Sequence, residues 1–459
     1  MERRPRELPD APEGEPILID FEGRSLSAKA GEPVAVTLLA HGVDIASRSI
    51  KYHRPRGAFC LAGTCGQCWM RLSDVQNRPA CTTPAVDGLT VQRQNAFPTA
   101  DNDVLRAADY VFQEGIDHNR LGTTHVSAMN VLIGSTARQL AGLGVLTEKP
   151  ASRAPPIPAL SLDVLVIGGG PAGIEAALAS QARGRSTLLV DARPALGGHL
   201  STGLFDDEPE LVGLVDRGSR ELPEANIWLR SVAAAVYRDG DGTPTVLIDR
   251  HRGTPSEGLA LLRPKAIVIA TGGYEVTPLF ANDDLPGHYG ARALAKLVLK
   301  HGVLPGKRVA VLDPGTGRRA GAWLHRRLRA LGIDTIRLVE VDAIEEPGVR
   351  AFRRVIEAKG RDRIKSIVHA GPNAKRETEK VDVVASAYPV SPAYELAVQA
   401  GCSVVHRAGL GGFVVVVEQG TQRTKMADIF AAGDVTGGLT PEEARRQGAI
   451  AGAAAAEVA

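Results

Sequence analysis

Asp163-Val-Leu-Val-Ile-Gly-Gly-Gly-Pro-Ala-Gly173 decides the fold of most of this chain. Val164 to Ile167 are uninterrupted apolar residues, which reads as a strand buried on both faces and paired in a parallel sheet. Gly168, Gly170 and Gly173 follow in GxGxxG spacing and open a helix that runs to Gln181. The first glycine permits a tight turn, the second lets a pyrophosphate approach the backbone, and the third packs helix against sheet. Free N–H groups and the positive end of the helix dipole then face the phosphates. The next strand, Thr187 to Val190, ends in Asp191, 18 residues beyond Gly173. A carboxylate there accepts hydrogen bonds from ribose hydroxyls and disfavours a 2′-phosphate, so FAD or NAD is expected before NADP.

Two later segments extend this pattern. Ile267-Val-Ile-Ala-Thr-Gly-Gly273 and Ile429-Phe-Ala-Ala-Gly-Asp434 each end a buried strand in a small-residue turn, and Gly197-Gly198 follows Asp191. In this order they match the signatures of flavoproteins with two dinucleotide-binding domains. A second strand–glycine–helix unit starts at Arg308 to Leu312, but Asp313 stands where the first glycine belongs and Arg318 near the third. An acid beside a pyrophosphate repels it, so this unit reads as a nucleotide fold that has lost its ligand. The shifted register Gly315-x-Gly317-x-x-Ala320 starts late after its strand. No Cys-x-x-Cys or Cys-x4-Cys pair lies in this half, which excludes a dithiol relay of the thioredoxin-reductase kind.

Upstream, Cys60-x4-Cys65-x2-Cys68-x12-Cys81 has the spacing of a plant-type [2Fe–2S] centre, three thiolates from one tight loop and a distant fourth. Gly57, Gly63 and Gly66 are placed to let that loop turn. Structural zinc usually takes two short knuckles, whereas Cys81 stands alone, and nothing else suggests a secreted, disulfide-bonded chain. Around the loop, a hairpin (Ile17 to Phe21, Arg24 to Ala28), a helix (Val34 to His41) and strands at Ser49 to Tyr52, Trp69 to Leu72 and Leu89 to Gln92 suggest a β-grasp ferredoxin. Asp103 to Gly144 has helical periodicity, and the proline-rich run Pro150 to Pro158 reads as a stiff linker.

The fold class expected is α/β with an α+β N-terminal domain. Its parts are a β-grasp [2Fe–2S] domain over 1–100, a helical segment and linker over 101–160, a FAD/NAD-binding Rossmann-type domain over 161–290 plus 391–459, and an inserted degenerate nucleotide domain over 291–390. With 459 residues and 44% hydrophobic composition the chain can bury several cores, though aromatics are only 4% and leave Ala, Val and Leu to fill them. A net charge of +2 without a long basic run gives no case for nucleic acid. No signal peptide or membrane span is visible, and five cysteines, four committed to iron, fit a reducing compartment, with the cytoplasm as default. His53, His118, His125 and His199 are scattered and form no catalytic set. The basic run Arg48, Lys51, His53, Arg54 and Arg56 reads either as a solvated strand end or as a contact with a cofactor phosphate or the dinucleotide domain.

Arg48-Ser-Ile-Lys-Tyr-His-Arg-Pro-Arg-Gly57 and Gly115-Ile-Asp-His-Asn-Arg-Leu121, with the motifs VIGGGPAG, ATGGYE and FAAGD, resemble the α subunit of heterotetrameric sarcosine oxidase. The α subunits of opine oxidase, hydroxyproline dehydrogenase and hydrogen cyanide synthase share the resemblance, which covers nearly the whole chain. It implies amine oxidation at the FAD of a partner β subunit, with small additional subunits in some members. FMN at a subunit interface and FAD, NAD or a structural ATP in the α subunit are also implied. Motif by motif it places nucleotide contacts at Gly168, Gly170, Gly173, Asp191, Gly198, Thr271, Gly272 and Asp434, and at Ala233 on a strand from Arg230 to Tyr237. Sarcosine oxidase α subunits also carry a folate-binding half beyond the matched region, so folate-coupled demethylation is not expected here. They generally lack the cluster cysteines, which makes this chain look like an α subunit fused to a small iron–sulfur subunit.

The leading functional expectation is therefore a subunit of a flavin/iron–sulfur oxidoreductase for a secondary amine or amino acid, with no catalytic residue of its own. One alternative is an NADH-dependent reductase feeding an oxygenase. Another is a non-catalytic nucleotide-binding scaffold that lends its cluster to a partner.

Overall fold

The computed structural model describes residues 4–111, 126–131, 134, 157, 159–240, 242–252, 256–315, 319–437 and 440–459. Two compact units result, one from 1–152, 277–315 and 328–386, the other from 153–276, 316–327 and 387–459. The motif 115–121, the linker and most of the 103–144 segment lie outside the described residues, as do Gly317 and Arg318. The start of that segment is helical over Val104–Arg106 and Ala107–Val111.

In the first unit, a five-stranded sheet runs in the order Arg24–Lys29, Pro16–Phe21, Thr90–Gln92, Trp69–Leu72, Val75–Pro79. The first two strands form the hairpin, and Pro16–Phe21 also pairs in parallel with Thr90–Gln92. The helix Val34–Ala40 is buried along all its residues, because four aliphatic side chains leave it no polar face to present. Ser49 to Tyr52 is not a strand. It is the tip of a short hairpin between Ser47–Arg48 and Pro55–Arg56, closed where the Ser49 Oγ accepts from Arg54 N and His53 takes a left-handed φ of 54°. Val75–Pro79 is an edge strand that hydropathy hides, since Gln76, Asn77 and Arg78 give it no apolar alternation.

The same unit holds a second, wholly parallel sheet in the order His288–Gly290, Val383–Ser386, Arg308–Asp313, Asp334–Glu340, Val349–Phe352. Val383–Ser386 and Arg308–Asp313 are buried on both faces, as their mostly apolar runs require. A three-stranded antiparallel sheet, Arg354–Lys359, Ser366–Ala370 and Arg376–Glu379, adjoins it in the chain.

The second unit is built on a seven-stranded sheet. Ala159–Ile167 lies between Thr187–Val190 and Gly258–Ile269, parallel to both, and Ile429–Ala431 pairs on the far side of the last. Gly258–Ile269 is longer than the buried run at Ala266 suggests. Its start, up to Leu262, pairs antiparallel with Pro244–Arg250, while from Leu261 onward it pairs in parallel with Ala159–Ile167 and from Ile267 with Ile429–Ala431. Leu165, Ile267, Val268 and Ile269 have essentially no exposure, each worth roughly 1.5–3 kcal/mol of burial. The fingerprint helix Pro171–Gln181 is covered by the alanine-rich helix Pro441–Val458, which starts at a capping box between Thr440 and Glu443. The two backbones touch. A Cβ at Gly448 would fall 2.0 Å from the Ala172 carbonyl oxygen, and one at Gly452 would fall 2.1 Å from that of Ala176.

Candidate functional site

The nucleotide cradle forms at the carboxyl ends of the parallel strands, the general ligand position in open α/β sheets. Gly168 has φ 111°, and a Cβ there would meet the Ala270 carbonyl oxygen at 2.2 Å. A Cβ on Gly173 would meet the Gly168 oxygen at 1.7 Å, so this glycine locks turn to helix. Gly170 faces open space bounded by Gly198, whose own Cβ would fall 2.8 Å from the Gly170 Cα. The cradle is therefore floored by two glycine backbones, which leaves the room a pyrophosphate needs.

Asp191 ends its strand buried, with its carboxylate engaged by the loop. Oδ2 accepts from Gly169 N at 2.5 Å and Oδ1 from Arg193 N at 2.6 Å. Burial pushes its pKa above the ordinary carboxyl value, opposed by the Arg193 charge and the two amide bonds. No motif marks these two N–H groups as the ones that hold the acid in place. On the opposite rim, Thr271 is tied down, its Oγ1 donating to the Ala393 carbonyl at 2.7 Å, while Gly272 at φ 71° opens onto empty space. Asp434 lies buried in the turn Gly433–Thr436. Gln447 fixes that turn by accepting from Gly433 N at 3.0 Å and from Thr436 Oγ1 at 2.9 Å. Gln447 was missed because a lone glutamine in a helix carries no motif. Ala233 is partly buried on the strand Val232–Arg238 beside a register shift, and packs on the core of the sheet.

In the first unit, Cys60, Cys68 and Cys81 are buried and Cys65 half-buried, all four as free thiols. No three of the described His, Cys, Asp and Glu side chains gather around a single ion-sized point. The thiols are linked in a chain instead, Cys65 to Cys60 to Cys81 to Cys68. Cys60 is driven far below the ordinary thiol value, first by its hydrogen bond with Cys65, and Cys65 is raised by the same bond. Cys68 is lowered first by Cys81, and Cys81 is raised by Cys60 and then Cys68. Backbone donors already point at sulfur, with Ala62 N on Cys60 Sγ at 3.4 Å and Gly63 N on Cys81 Sγ at 3.2 Å. Gly63 and Gly66 have φ 78° and 67°, the left-handed turns expected of them. Gly57 serves otherwise. Its Cβ would fall 2.9 Å from the Asp44 oxygen and 3.1 Å from Pro286 Cβ, so it allows close packing rather than a turn.

The basic run is not a solvated strand end. Arg48 is buried, donating to the carbonyls of Ala100 and His53 and to Asp362. Arg54 forks onto Asp284 with two 2.8–2.9 Å bonds and reaches Asn282, while Arg56 also pairs with Asp284. His53 Nδ1 bonds the Asp103 carboxylate at 2.8 Å. Arg48, Arg54 and Arg56 therefore join the ferredoxin-like domain to the stretches 277–315 and 328–386 of the same unit.

In that inserted domain, Asp313 is buried at its strand end and held by Arg337, whose Nε donates at 2.9 Å, and by Gly315 N at 2.9 Å. The acid that takes the first glycine's place is thus neutralised within the protein and turned to structural use.

Fold and sites define an oxidoreductase chain with a [2Fe–2S] domain and two nucleotide-type domains. Family models agree along the chain. A 2Fe-2S iron-sulfur cluster binding domain matches residues 14–96, an FAD dependent oxidoreductase 163–218, and a pyridine nucleotide-disulphide oxidoreductase 291–457. The chain thus binds a [2Fe–2S] centre and an FAD- or NAD-type dinucleotide. Within this class it is similar to the sarcosine oxidase subunit alpha of Rhizobium meliloti, 28% identical over 87% of this chain and 42% of that one. It is likewise similar to that of a Corynebacterium species, 27% identical over 97% of this chain and 44% of the relative. The chain therefore spans less than half the length of these relatives. The crystal structure of L-proline dehydrogenase from P. horikoshii shares the fold, with a TM-score of 0.68 and 23% identity over 97% of this chain and 74% of that one. The resemblance to sarcosine oxidase alpha subunits read from residues 48–57 and the flavoprotein motifs holds. No helix among the described residues is long and apolar enough to cross a membrane.

Proposed function

We propose that this chain is the nucleotide- and cluster-carrying subunit of a heteromeric oxidoreductase that oxidises the CH–NH bond of a secondary amine or amino acid. The observation that carries this reading is the gathering of Cys81 with the three thiols of the loop carrying Cys60, Cys65 and Cys68, on a chain that also bears a glycine-floored nucleotide cradle. Cys60, Cys65, Cys68 and Cys81 serve as iron ligands in this reading. Gly168, Gly170, Gly173, Asp191, Gly198, Thr271, Gly272, Asp434 and Ala233 serve as nucleotide contacts. The divisions 1–100, 101–160, 161–290 with 391–459, and 291–390 are its domains.

When bound, a flavin accepts a hydride as an electron pair and the iron centre passes electrons singly. The protein's own part is to hold and orient these groups. Gly170 and Gly198 give backbone access, and the start of the helix Pro171–Gln181 offers its N–H groups to phosphate. Asp191, already braced by two amides, faces the ribose in this reading. No described residue is assigned a proton transfer with substrate. Amine oxidation is accordingly placed on a flavin-containing partner subunit, with FMN at the shared interface and the complex in the cytoplasm.

A second reading is an NADH-dependent reductase, favoured by the pyridine nucleotide-disulphide oxidoreductase match across the inserted domain. The buried Asp313–Arg337 pair weighs against it, because an acid with its own cation stands where the first glycine of the fingerprint belongs. One experiment separates the two. The isolated chain, prepared anaerobically, is given either a panel of secondary amines and imino acids or NADH. The amine reading expects negligible turnover and no bleaching of the iron absorbance by NADH, then amine turnover once the partner is co-expressed. Amine turnover by the chain alone, or rapid bleaching by NADH, would overturn it.

A further inference from the structure

The cluster loop brings no countercharge of its own, since Gly57 to Met70 contains no charged side chain. Its Cys60 end is instead walled by residues 286–300 of the same unit. Pro286 packs on Gly57, and the His288 ring meets Phe59 edge-on at 5.3 Å. Gly290 N donates to the Phe59 carbonyl at 3.1 Å. The helix Ala291–Ala295 then widens into a π-helical turn, Lys296–Lys300, a rare geometry that often marks functional positions. Its first residue, Lys296, donates from Nζ to the carbonyl of Leu61 at 3.4 Å. Leu61 is buried and adjoins Cys60. The ammonium is therefore anchored one residue from an iron-ligand position, beside a buried site where charge is weakly screened.

We infer that Lys296 is a positioning and redox-tuning residue, a cation lent by the ligand-free nucleotide fold to raise the reduction potential of the centre held by Cys60, Cys65, Cys68 and Cys81. This rests on the proposed iron-ligand assignment. Four thiolates and two sulfides outweigh the iron charge, so the centre is an anion that gains one further negative charge on reduction. A fixed cation nearby favours that reduced state. It also gives the inserted domain a task that survives the loss of its nucleotide.

The test is a potentiometric titration of the full chain followed by electron paramagnetic resonance, with iron and sulfide content measured in parallel. Lys296→Met and Lys296→Gln should each lower the one-electron reduction equilibrium constant by roughly fivefold to tenfold, tenfold being about 59 mV, while Lys296→Arg stays near wild type. Glutamine keeps a donor for the Leu61 carbonyl and removes only the charge. A glutamine variant with full iron content and the wild-type potential would overturn the inference and leave the iron assignment standing. A wild-type chain without iron and sulfide would overturn both. Should the methionine variant lose its cluster, the glutamine and arginine variants still decide.

Discussion

At the scale of single residues, Asp191 shows how a motif residue can be strained by its own site. Two backbone amides hold its carboxylate, yet burial dominates and raises its pKa above 3.8. The folded chain thus holds this proton more tightly than the unfolded one. Between 3.8 and the raised value the folded state binds more protons, so this group's contribution to stability falls as pH rises through that window. Asp191→Asn should flatten this part of the stability curve. Denaturant melts of the nucleotide-free chain from pH 4 to 8, compared with wild type, measure it. A variant curve parallel to wild type would show that the carboxylate is not disfavoured in its pocket. The acid was legible in the sequence from its place at a strand end, but its two amide partners were not, because they come from turns whose geometry only the fold sets.

Among the elements, the contact that holds the cradle in shape is helix on helix. Gly448 and Gly452 let the alanine-rich helix rest its backbone on Ala172 and Ala176 of the fingerprint helix. A larger side chain must push the helices apart, and overpacking of this kind costs typically 1–3 kcal/mol, sometimes more. Gly452→Val is expected to lower stability by about that amount and to reduce the nucleotide recovered with the protein, because the displaced helix is the one that opens at Gly170. Denaturant unfolding together with absorbance of the released nucleotide checks both effects. The alanine and glycine content of the helix Pro441–Val458 is visible in the chain. The face it turns to its partner is not, since small residues line it on several sides and provide no amphipathic stripe.

Across the first unit, charge pairs fix the ferredoxin-like domain on the stretches 277–315 and 328–386. Arg54 and Asp284 form a half-buried two-pronged bridge, and Arg48 and Arg106 share Asp362. A double-mutant cycle on Arg54→Ala and Asp284→Ala should give a coupling of about 1 kcal/mol, read from denaturant melts, which additive single effects would refute. Half-buried pairs with paired geometry exceed the small worth of exposed ones.

The sequence alone determined what depends on local spacing. GxGxxG after an apolar strand, an acid at the next strand end and C-x4-C-x2-C each encode a turn, a helix start or a ligand set within a few residues, where sterics leave little choice. The tertiary structure alone decided what depends on partners distant along the chain. It turned Ser49 to Tyr52 into a hairpin tip, neutralised Asp313 with Arg337, committed the basic run to Asp284 and Asp362, and set Lys296 beside Leu61. A charge shows no partner in sequence, because its energy is set by burial and by whichever opposite charge the folded chain brings within reach.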